Sequence, residues 1–317
     1  MLNLFRGLAL CALLNTPAFA QHAVDVSVPS NGCPAAIASD GLDDYPALQC
    51  QIDAMAATPA NGGRLLLSTG AYELSQTLVI TGGHRLIGAG QSATAIVTMG
   101  GADITALRFT GPYNSFGGLS DLRVACSQST TATASCVHVT HNVPVVFRDF
   151  QIWGGLHGLL SQGVDGNFES GFIGGAARAG SAVFSQGANW YIRTKFNDYA
   201  GFHQTYAFVQ NSWSNPANNG VQENHFVACD FSGNYDYSVF IYDGNRNQAV
   251  TDCSSSVFAA PIVIYSARAT MFRGAEFGSP TLINYAPLSI SGSYAFSALA
   301  VSGTGARSCG ANIGITC

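Results

Sequence analysis

Short apolar β-runs separated by glycine-rich turns recur along the chain, and this recurrence constrains the fold more than any other feature. Several runs are marked by a small or polar residue followed by a large apolar one: Asp121-Leu122, Asp149-Phe150, Gly171-Phe172, Lys195-Phe196, Asp230-Phe231 and Glu276-Phe277. Repeats of about 20–45 residues indicate a solenoid, in which each coil buries its apolar side chains by stacking on its neighbours. The interval from Lys195 to Asp230 is 35 residues, against 22 and 24 for the two intervals before it, so we expect an insertion at 211–222.

A helical periodicity marks the region before these runs. Asp43 and Asp44 are suited to the N-cap of a helix, where carboxylates favour the positive end of the helix dipole. The apolar stripe that follows is formed by Leu48, Ile52 and Met55. Both ends of a solenoid must be covered, because an open end exposes its core. We therefore predict a capping helix over 44–57, coils over about 64–290 and a C-terminal tail over 291–317.

Several short motifs follow one another near the N-terminus. They are Asp40-Gly41-Leu42-Asp43-Asp44, Ala47-Leu48-Gln49, Gly62-Gly63, Thr69-Gly70-Ala71-Tyr72 and Ile87-Gly88-Ala89-Gly90. Over 40–97 this order resembles the opening of the pectate-lyase-like superfamily, in particular its rhamnogalacturonase/epimerase-like domain. Ser68-Thr69-Gly70 stands where that family usually has Pro-Pro-Gly, and Leu48 replaces its usual isoleucine. The resemblance implies an all-β, right-handed parallel β-helix, and it does not select among lyases, hydrolases, epimerases and phage tailspikes.

The first residues predict a secretory signal over 1–20. Arg6 precedes a short apolar stretch, and Ala18-Phe19-Ala20 fits the small-x-small cleavage rule. Neither that stretch nor any later apolar run is long enough to cross a bilayer. We therefore expect a secreted protein, extracellular or periplasmic, with one β-helix domain over 21–317 and no membrane partner.

The cysteines agree with export. Removing Cys11 with the signal leaves an even number, which is typical of disulfide-bonded exported chains. Their order along the chain suggests four sequential pairs: Cys33–Cys50, Cys126–Cys136, Cys229–Cys253 and Cys309–Cys317. No cysteine or histidine cluster has zinc-site spacing.

The charge content bears on the partner. Charged residues form 10% of the chain, the net charge is −5, and Lys195 is the only lysine. A nucleic-acid-binding protein normally carries a basic surface that neutralises phosphates. The composition therefore argues against nucleic acid, and the resemblance implies a polysaccharide as the partner.

Charged residues cluster at the middle of the predicted solenoid. Side chains alternate along a strand, so an inward Phe196 places Ile192 and Thr194 inward and Arg193 and Lys195 outward. The neighbouring coils would then place a carboxylate beside each cation. The carboxylates are Glu169 beside Arg193 and Asp230 beside Lys195, with Asp252 and Glu276 further along the same face.

This cluster suits the β-elimination chemistry that the resemblance implies. Lys195 would act as the base that removes the C5 proton, Arg193 would neutralise the uronate, and Asp230 would tune the lysine. Nearby carboxylates make Ca²⁺ a candidate cofactor. The alternative is a stacked salt-bridge ladder, which solvated sheet faces commonly carry and which contributes little to stability.

A glycoside hydrolase would instead need two carboxylates about 5–10 Å apart. Asp230 with Asp252, or Asp230 with Asp236, would supply them. The polygalacturonase-like branch carries NTD, DD, GHG and RIK motifs, which are missing here, and Gly155-Leu156-His157-Gly158 resembles the third only superficially.

Substrate-binding candidates lie near the insertion. Trp213 falls in a long polar segment that would overhang a groove, where its apolar face would stack on sugar rings. Tyr199, His203 and Asp236 complete the predicted substrate-binding set. The alternative is that aromatic side chains fill the core, which is their commoner role in solenoids.

Two classes of function remain on sequence grounds. The first is a secreted polysaccharide-degrading enzyme, with a lyase favoured over a hydrolase. The second is a non-catalytic β-helix that binds carbohydrate or serves a surface role. Because β-elimination creates a product that absorbs in the ultraviolet, that absorbance separates the two.

Overall fold

The structure is a computed structural model of the chain. It describes residues 23–56, 62–81, 83–111, 116–140, 143–162, 165–183, 187–197, 204–211, 222–233, 235–242, 250–265, 269–279, 281–284, 288–303, 307–310 and 312–316. The predicted signal segment and Cys11 lie outside these residues. No described helix has the length and hydropathy of a membrane span.

Every ladder between the strands is parallel, and the chain winds through three sheets in turn. Sheet A contains β1 (Ala23–Asp25), β2 (Arg64–Leu66), β5 (Arg85–Ile87), the first halves of β8 (Gly117–Ala125) and β10 (Val145–Trp153), β12 (Gly166–Glu169), β15 (Gly187–Ile192), β18 (Gln222–Val227), β21 (Val250–Ser254), β24 (Ala269–Arg273), β27 (Leu288–Ser291) and β29 (Arg307–Cys309).

Sheet B contains β3 (Gly70–Leu74), β6 (Thr94–Thr98), the second halves of β8 and β10, β13 (Phe172–Gly174), β16 (Lys195–Asn197), β19 (Asp230–Phe231), β22 (Val257–Phe258), β25 (Glu276–Phe277) and the start of β28 (Tyr294–Ser302). Sheet C contains β4 (Leu78–Ile80), β7 (Leu107–Phe109), β9 (Val137–Val139), β11 (His157–Ser161), β14 (Ala179–Val183), β17 (Gln204–Asn211), β20 (Tyr235–Tyr242), β23 (Ile262–Tyr265), β26 (Thr281–Asn284), the end of β28 and β30 (Ile313–Thr316). This is a right-handed parallel β-helix, as predicted.

A helix covers the N-terminal end. Helix α1 spans Tyr45–Ala56 and buries its apolar stripe completely. The Asp43 carboxylate accepts a hydrogen bond from Tyr45 N at 3.1 Å, which satisfies a backbone donor of the first turn. The Gln49 amide donates to Val79 O at 3.1 Å and accepts from Val79 N at 2.8 Å, so it pairs with the otherwise open edge of β4.

The coil continues to both ends of the described chain, which corrects the predicted boundaries. β1 pairs with β2 although it precedes the helix, so the first coil starts before residue 64. β28 pairs with β25 and β26, β29 pairs with β27, and β30 pairs with β28. Strands β28, β29 and β30 therefore extend the β-helix where a tail over 291–317 was predicted.

From β8 to β27, the corner between sheets A and B is a single left-handed residue in each coil. Asp121, Asp149, Ser170, Arg193, Ala228 and Ser255 all have φ between 47° and 57°, and Gly274 and Gly292 continue the column. A left-handed residue bends the chain and interrupts the strand alternation. For this reason Tyr191 and Thr194 are fully buried on either side of Arg193, while Ile192, predicted to point inward, is only half-buried.

Aromatic ladders fill the core. In sheet B, the rings of Phe196 and Phe231 stack with centroids 4.6 Å apart, and Phe258 follows at 4.9 Å. One predicted coil marker is out of register. Phe150 aligns with Leu122, as the markers predict, but in the next coil Phe172 aligns with Gln151 and faces outward. Gly171 stands beside Phe150 instead, and a Cβ there would lie 2.2 Å from the Phe150 ring.

Two predicted disulfides are confirmed, Cys33–Cys50 and Cys126–Cys136, and the first ties helix α1 to the segment after β1. The predicted Cys229–Cys253 bond is wrong, because both residues are buried thiols. Cys253 aligns with Phe226, so the two thiols stand on opposite sides of the left-handed corner residue Ala228. Cys309 is disulfide-bonded, and its predicted partner Cys317 lies outside the described residues.

Candidate functional site

The predicted charged cluster forms its two predicted ion pairs on the outer surface. Lys195 in β16 and Asp230 in β19 are register partners, with Lys195 Nζ 3.3 Å from Asp230 Oδ2. At the corner, Arg193 Nη2 lies 2.5 Å from Glu169 Oε1, and Arg148 Nε lies 3.5 Å from Glu169 Oε2. Arg193 is itself the left-handed corner residue that follows β15, whereas Lys195 begins β16 of sheet B, so the two cations do not lie on one strand.

These ion pairs are exposed and mutually neutralised. The Lys195 side chain is 44% exposed, and pairs of this kind contribute about 0–1 kcal/mol to stability. The geometry is therefore that of the salt-bridge ladder, and a base role for Lys195 stays a prediction.

The carboxylates predicted as hydrolase pairs stand on three different sheets. Asp230 lies in sheet B, Asp252 in β21 of sheet A and Asp236 in β20 of sheet C. Glu276 does share the outward column of Asp230, two coils away. Trp213, Tyr199 and His203 lie outside the described residues.

A second cluster, absent from the sequence predictions, lies on the outer face of sheet A. Trp190 in β15 and His225 in β18 are register partners whose rings stack with centroids 3.8 Å apart and planes 12° from parallel. His225 Nε2 lies 3.3 Å from Glu223 Oε2, and His225 Nδ1 lies 3.8 Å from Asp252 Oδ2. Asp252 in turn pairs with Arg273. We call Trp190, Glu223, His225, Asp252 and Arg273 the histidine cluster.

The members of the histidine cluster differ in solvent exposure. Trp190 is 41% exposed, the Glu223 side chain is 42% exposed, and the His225 side chain is only 12% exposed. Nδ1 of His225 and Oδ1 of Asp252 are buried and have no hydrogen-bond partner among the described residues. A histidine between two carboxylates, beside an exposed indole, can transfer protons next to a surface that accepts a sugar ring.

A repeated triplet in the sequence points to this cluster. Asn189-Trp190-Tyr191 and Asn224-His225-Phe226 have the same order, with a buried amide, an outward ring and a buried aromatic. The offset that relates Lys195 to Asp230 also relates Trp190 to His225. Applying the offset between Lys195 and Asp230 to Trp190 would have predicted that its ring lies beside that of His225.

A shallow pocket lies on the outer face of sheet B. It has a volume of about 370 Å³ and is lined by Arg123, Ala125, Gln128 and Trp153. Trp153 stacks on Phe172 at 4.4 Å and donates from Nε1 to Gln151 Oε1 at 3.3 Å. This pocket is a second surface on which an aromatic ring and a cation occur together.

His157, in the Gly155-Leu156-His157-Gly158 motif, has a structural role. Its Nδ1 lies 3.1 Å from Ser135 Oγ in the interior of sheet C. Burial, with the charge of Arg178, lowers the pKa of His157 to about 4, so the ring stays neutral. The motif thus supports packing rather than acid–base chemistry.

The described residues do not fit a calcium site. Across them, no three His, Cys, Asp or Glu side chains converge on a point where a cation would bind. Hard cations such as Ca²⁺ take six to eight oxygen ligands. We therefore derive no step through a metal.

No family model and no curated protein matches the sequence. Solved structures do. The A-module of a mannuronan C-5 epimerase from Azotobacter vinelandii matches with a TM-score of 0.57 and 15% identity, over 89% of this chain and 96% of that one. The catalytic domain of an alpha-1,3-glucanase in complex with tetrasaccharides matches at 0.58 and 9%, over 92% and 60%. ORF18 of Geobacillus virus E2 matches at 0.51 and 18%, over 86% and 55%.

This chain has the parallel β-helix fold of these proteins. The resemblance predicted from 40–97 is thereby confirmed at the level of the fold. The chain spans less than two thirds of the alpha-1,3-glucanase domain and of the viral protein. At these identities the likeness carries the architecture, and the chemistry must be argued from the side chains described above.

Proposed function

We propose that this is an exported polysaccharide-processing protein that cleaves a uronic-acid polymer by β-elimination, with His225 as the proton-transferring group. The observation that carries the proposal is the stack of the Trp190 and His225 rings, in which each nitrogen of His225 faces a carboxylate. Two proteins of similar fold are named as enzymes of polysaccharides, a mannuronan epimerase and an alpha-1,3-glucanase, which supports the substrate class.

The reaction needs one proton acceptor and one proton donor. The sugar first displaces the Glu223 carboxylate from Nε2 of His225, and the neutral ring keeps its proton on Nδ1 beside Asp252. Nε2 then accepts the proton from C5 of the uronate, and the electron pair of that bond forms the C4–C5 double bond. The bond from C4 to the glycosidic oxygen then breaks. The departing oxygen takes a proton from the imidazolium, which restores the neutral ring.

The neighbouring side chains support these steps. The carboxylate of Asp252, 3.8 Å from the buried Nδ1, stabilises the positive charge that the ring acquires. Arg273 is bonded to Asp252 through Nη2 and retains other N–H groups for the carboxylate of the uronate. Trp190 offers its exposed indole surface to the apolar side of a sugar ring.

A hydrolase is the second candidate. Glu223 and Asp252 face opposite edges of the His225 ring, which places two carboxylates on one exposed face. An acid and a base flanking a glycosidic bond is the arrangement that hydrolysis requires. Cleavage would then create new reducing ends without ultraviolet absorbance.

The test is a panel of polygalacturonate, polymannuronate and a neutral β-glucan, followed by ultraviolet absorbance and by reducing-end release. We expect absorbance from a polyuronate only. His225→Gln should lower kcat about 10²- to 10⁴-fold. Trp190→Ala should raise KM roughly 2- to 10-fold, through the lost ring contact.

A matched control is His138→Gln, because His138 faces outward on sheet C with its Nε2 2.8 Å from Gln162 Oε1. Thermal unfolding of each variant checks that it is folded. Full activity of folded His225→Gln would refute the assigned role, and reducing ends without absorbance would establish the hydrolase. Loss of activity in Lys195→Ala alone would return the site to the Lys195–Asp230 pair. Binding without any cleavage would make the protein a non-catalytic binder.

Export is part of the proposal. Two disulfides are typical of chains that mature in oxidising compartments. We expect the mature protein to begin at Gln21, which N-terminal sequencing of the purified protein checks. A mature protein that retains residues 1–20 would contradict cleavage there.

A further inference from the structure

Two arginines stand side by side on the outer face of sheet A. Arg64 in β2 and Arg85 in β5 are register partners, and neighbouring strands lie about 4.8 Å apart. Arg64 is exposed and Arg85 is half-buried. Within the described part of the chain neither guanidinium has an ion pair or a hydrogen bond.

This pairing is unfavourable in the free protein. Like charges directly opposite on neighbouring strands destabilise a sheet. Burial, together with the positive charges of Arg64 and Arg148, lowers the pKa of Arg85. The carboxylate of Asp25 in β1 aligns with Leu66 rather than with an arginine, and it accepts hydrogen bonds from Ser27 N and Oγ at 2.9 Å and 2.7 Å. An anion bound between the guanidinium groups would offset the repulsion.

The arginines share an outward column with the histidine cluster. Following the ladders from Arg85, the column contains Gly118, Val146, Asn167, Trp190 and His225. Five strand spacings separate Arg85 from His225, which corresponds to about 24 Å along the β-helix axis. A polymer lying along this column would contact both groups at once.

We propose that Arg64 and Arg85 form a remote anion subsite that binds a carboxylate of the same polymer whose reacting sugar lies at Trp190 and His225. This inference rests on the proposed function and specifies the substrate as a polyanion that extends toward the helix cap. Guanidinium groups match carboxylates through paired N–H donors, so a uronate suits the site better than a neutral sugar. Leu66, 39% exposed beside them, offers an apolar contact for the ring.

The experiment measures binding without turnover. Calorimetry with polygalacturonate and polymannuronate is carried out on His225→Gln and on the same protein with Arg64→Gln and Arg85→Gln added. The added substitutions should raise Kd for the bound polyuronate by on the order of tenfold or more, through two lost charge-assisted contacts. This loss should shrink as salt is raised, because exposed charges are screened.

The matched control is Arg108→Gln in the same background. Arg108 is an exposed arginine of β7, on sheet C, and it also has no ion pair or hydrogen bond among the described residues. Its substitution should leave Kd for the polymer unchanged. A uronate disaccharide is too short to span the column, so its Kd should be the same with and without the Arg64 and Arg85 substitutions.

The outcomes are separable from those of the proposed function. An equal Kd for the double-arginine and Arg108 variants refutes the subsite, even if His225 proves essential for cleavage. Equal weakening for a neutral β-glucan, or tighter arginine-dependent binding of single-stranded DNA, refutes the uronate as ligand. A tenfold loss confined to long polyuronates supports the subsite even if no cleavage is found.

Discussion

Phe231 lies at the centre of the ladder of aromatic rings in sheet B, and its truncation tests the packing directly. The side chain is fully buried between Phe196, at 4.6 Å and 3° from parallel, and Phe258, at 4.9 Å and 14°. Phe231→Ala removes a buried ring and leaves a cavity, which costs about 3–5 kcal/mol. That range already includes the lost ring contacts, and because Phe231 loses two stacked pairs, each worth roughly 0.5–1.5 kcal/mol, we expect a loss of unfolding free energy in its upper part, about 4–5 kcal/mol.

Phe172 provides the matched comparison, because it occupies the same kind of sequence position but faces outward. Among the described residues its ring stacks on Trp153 alone, at 4.4 Å, and it is half-buried. Phe172→Ala should therefore lose only about 1–2 kcal/mol. Urea denaturation followed by circular dichroism measures both variants, and Phe231→Leu, which keeps most of the volume, covers the case in which the alanine variant does not fold. Equal losses at Phe231 and Phe172 would refute the side-chain facing described above.

Three further outcomes follow from single residues. Cys229 and Cys253 should both be alkylated under denaturing, non-reducing conditions, because both are free thiols. In the folded protein neither should react, because burial raises the pKa of Cys229 to about 12 and that of Cys253 well above its usual value. A disulfide-linked peptide that contains both residues would contradict this. Burial also raises the pKa of Asp44 to about 6, above an unfolded value of about 4, so the stability it contributes is complete below pH ~4 and is lost as pH rises through about 6. The difference in denaturation midpoint between Asp44→Asn and the unaltered protein should change across that window, and a pH-independent difference would refute it. Ala228→Gly should raise the free energy of unfolding by about 0.5–1 kcal/mol, because glycine adopts a φ of 53° without strain. Ala259→Gly, at an exposed position without positive φ, should lower it by a similar amount. Calorimetric melting distinguishes the two variants, and a loss of stability in both would contradict the corner geometry.

The N-terminal part of the fold could be predicted from sequence because its signals are local. The apolar stripe of the capping helix and the motifs up to Gly90 each depend on a few adjacent residues. The Arg193–Glu169 and Lys195–Asp230 contacts were also predictable, because the interval between coils is sufficient to bring them together. Sequence periodicity was thus sufficient to predict the ion pairs of Arg193 and Lys195 with the neighbouring coils.

The alternation rule for side chains along a strand does not hold across the corner, so side-chain facing beyond the corner could not be predicted from sequence. One left-handed residue per coil shifts the inward set, and a non-glycine residue there has no sequence signal of its own, as Arg193 and Ala228 illustrate. The same shift explains why Cys229 and Cys253, one apparent repeat apart, do not meet.

The histidine cluster was missed because it needs the offset between coils rather than the charge of any one coil. Considered singly, His225 has no catalytic spacing, and Trp190 reads as a core aromatic. Only the stacked register of β15 and β18 makes them neighbours, and only the next coil brings Asp252 to the ring. The histidine cluster therefore depends on the register between neighbouring coils, which the sequence of a single coil does not show.

A crystal structure of His225→Gln with a bound uronate oligosaccharide tests the central claim most directly. We predict that one sugar ring lies on Trp190 with its carboxylate toward Arg273, and that the chain extends along the column toward Arg85. An oligosaccharide bound in the pocket of Arg123 and Trp153, with the Trp190 face bare, would contradict the assignment of the site.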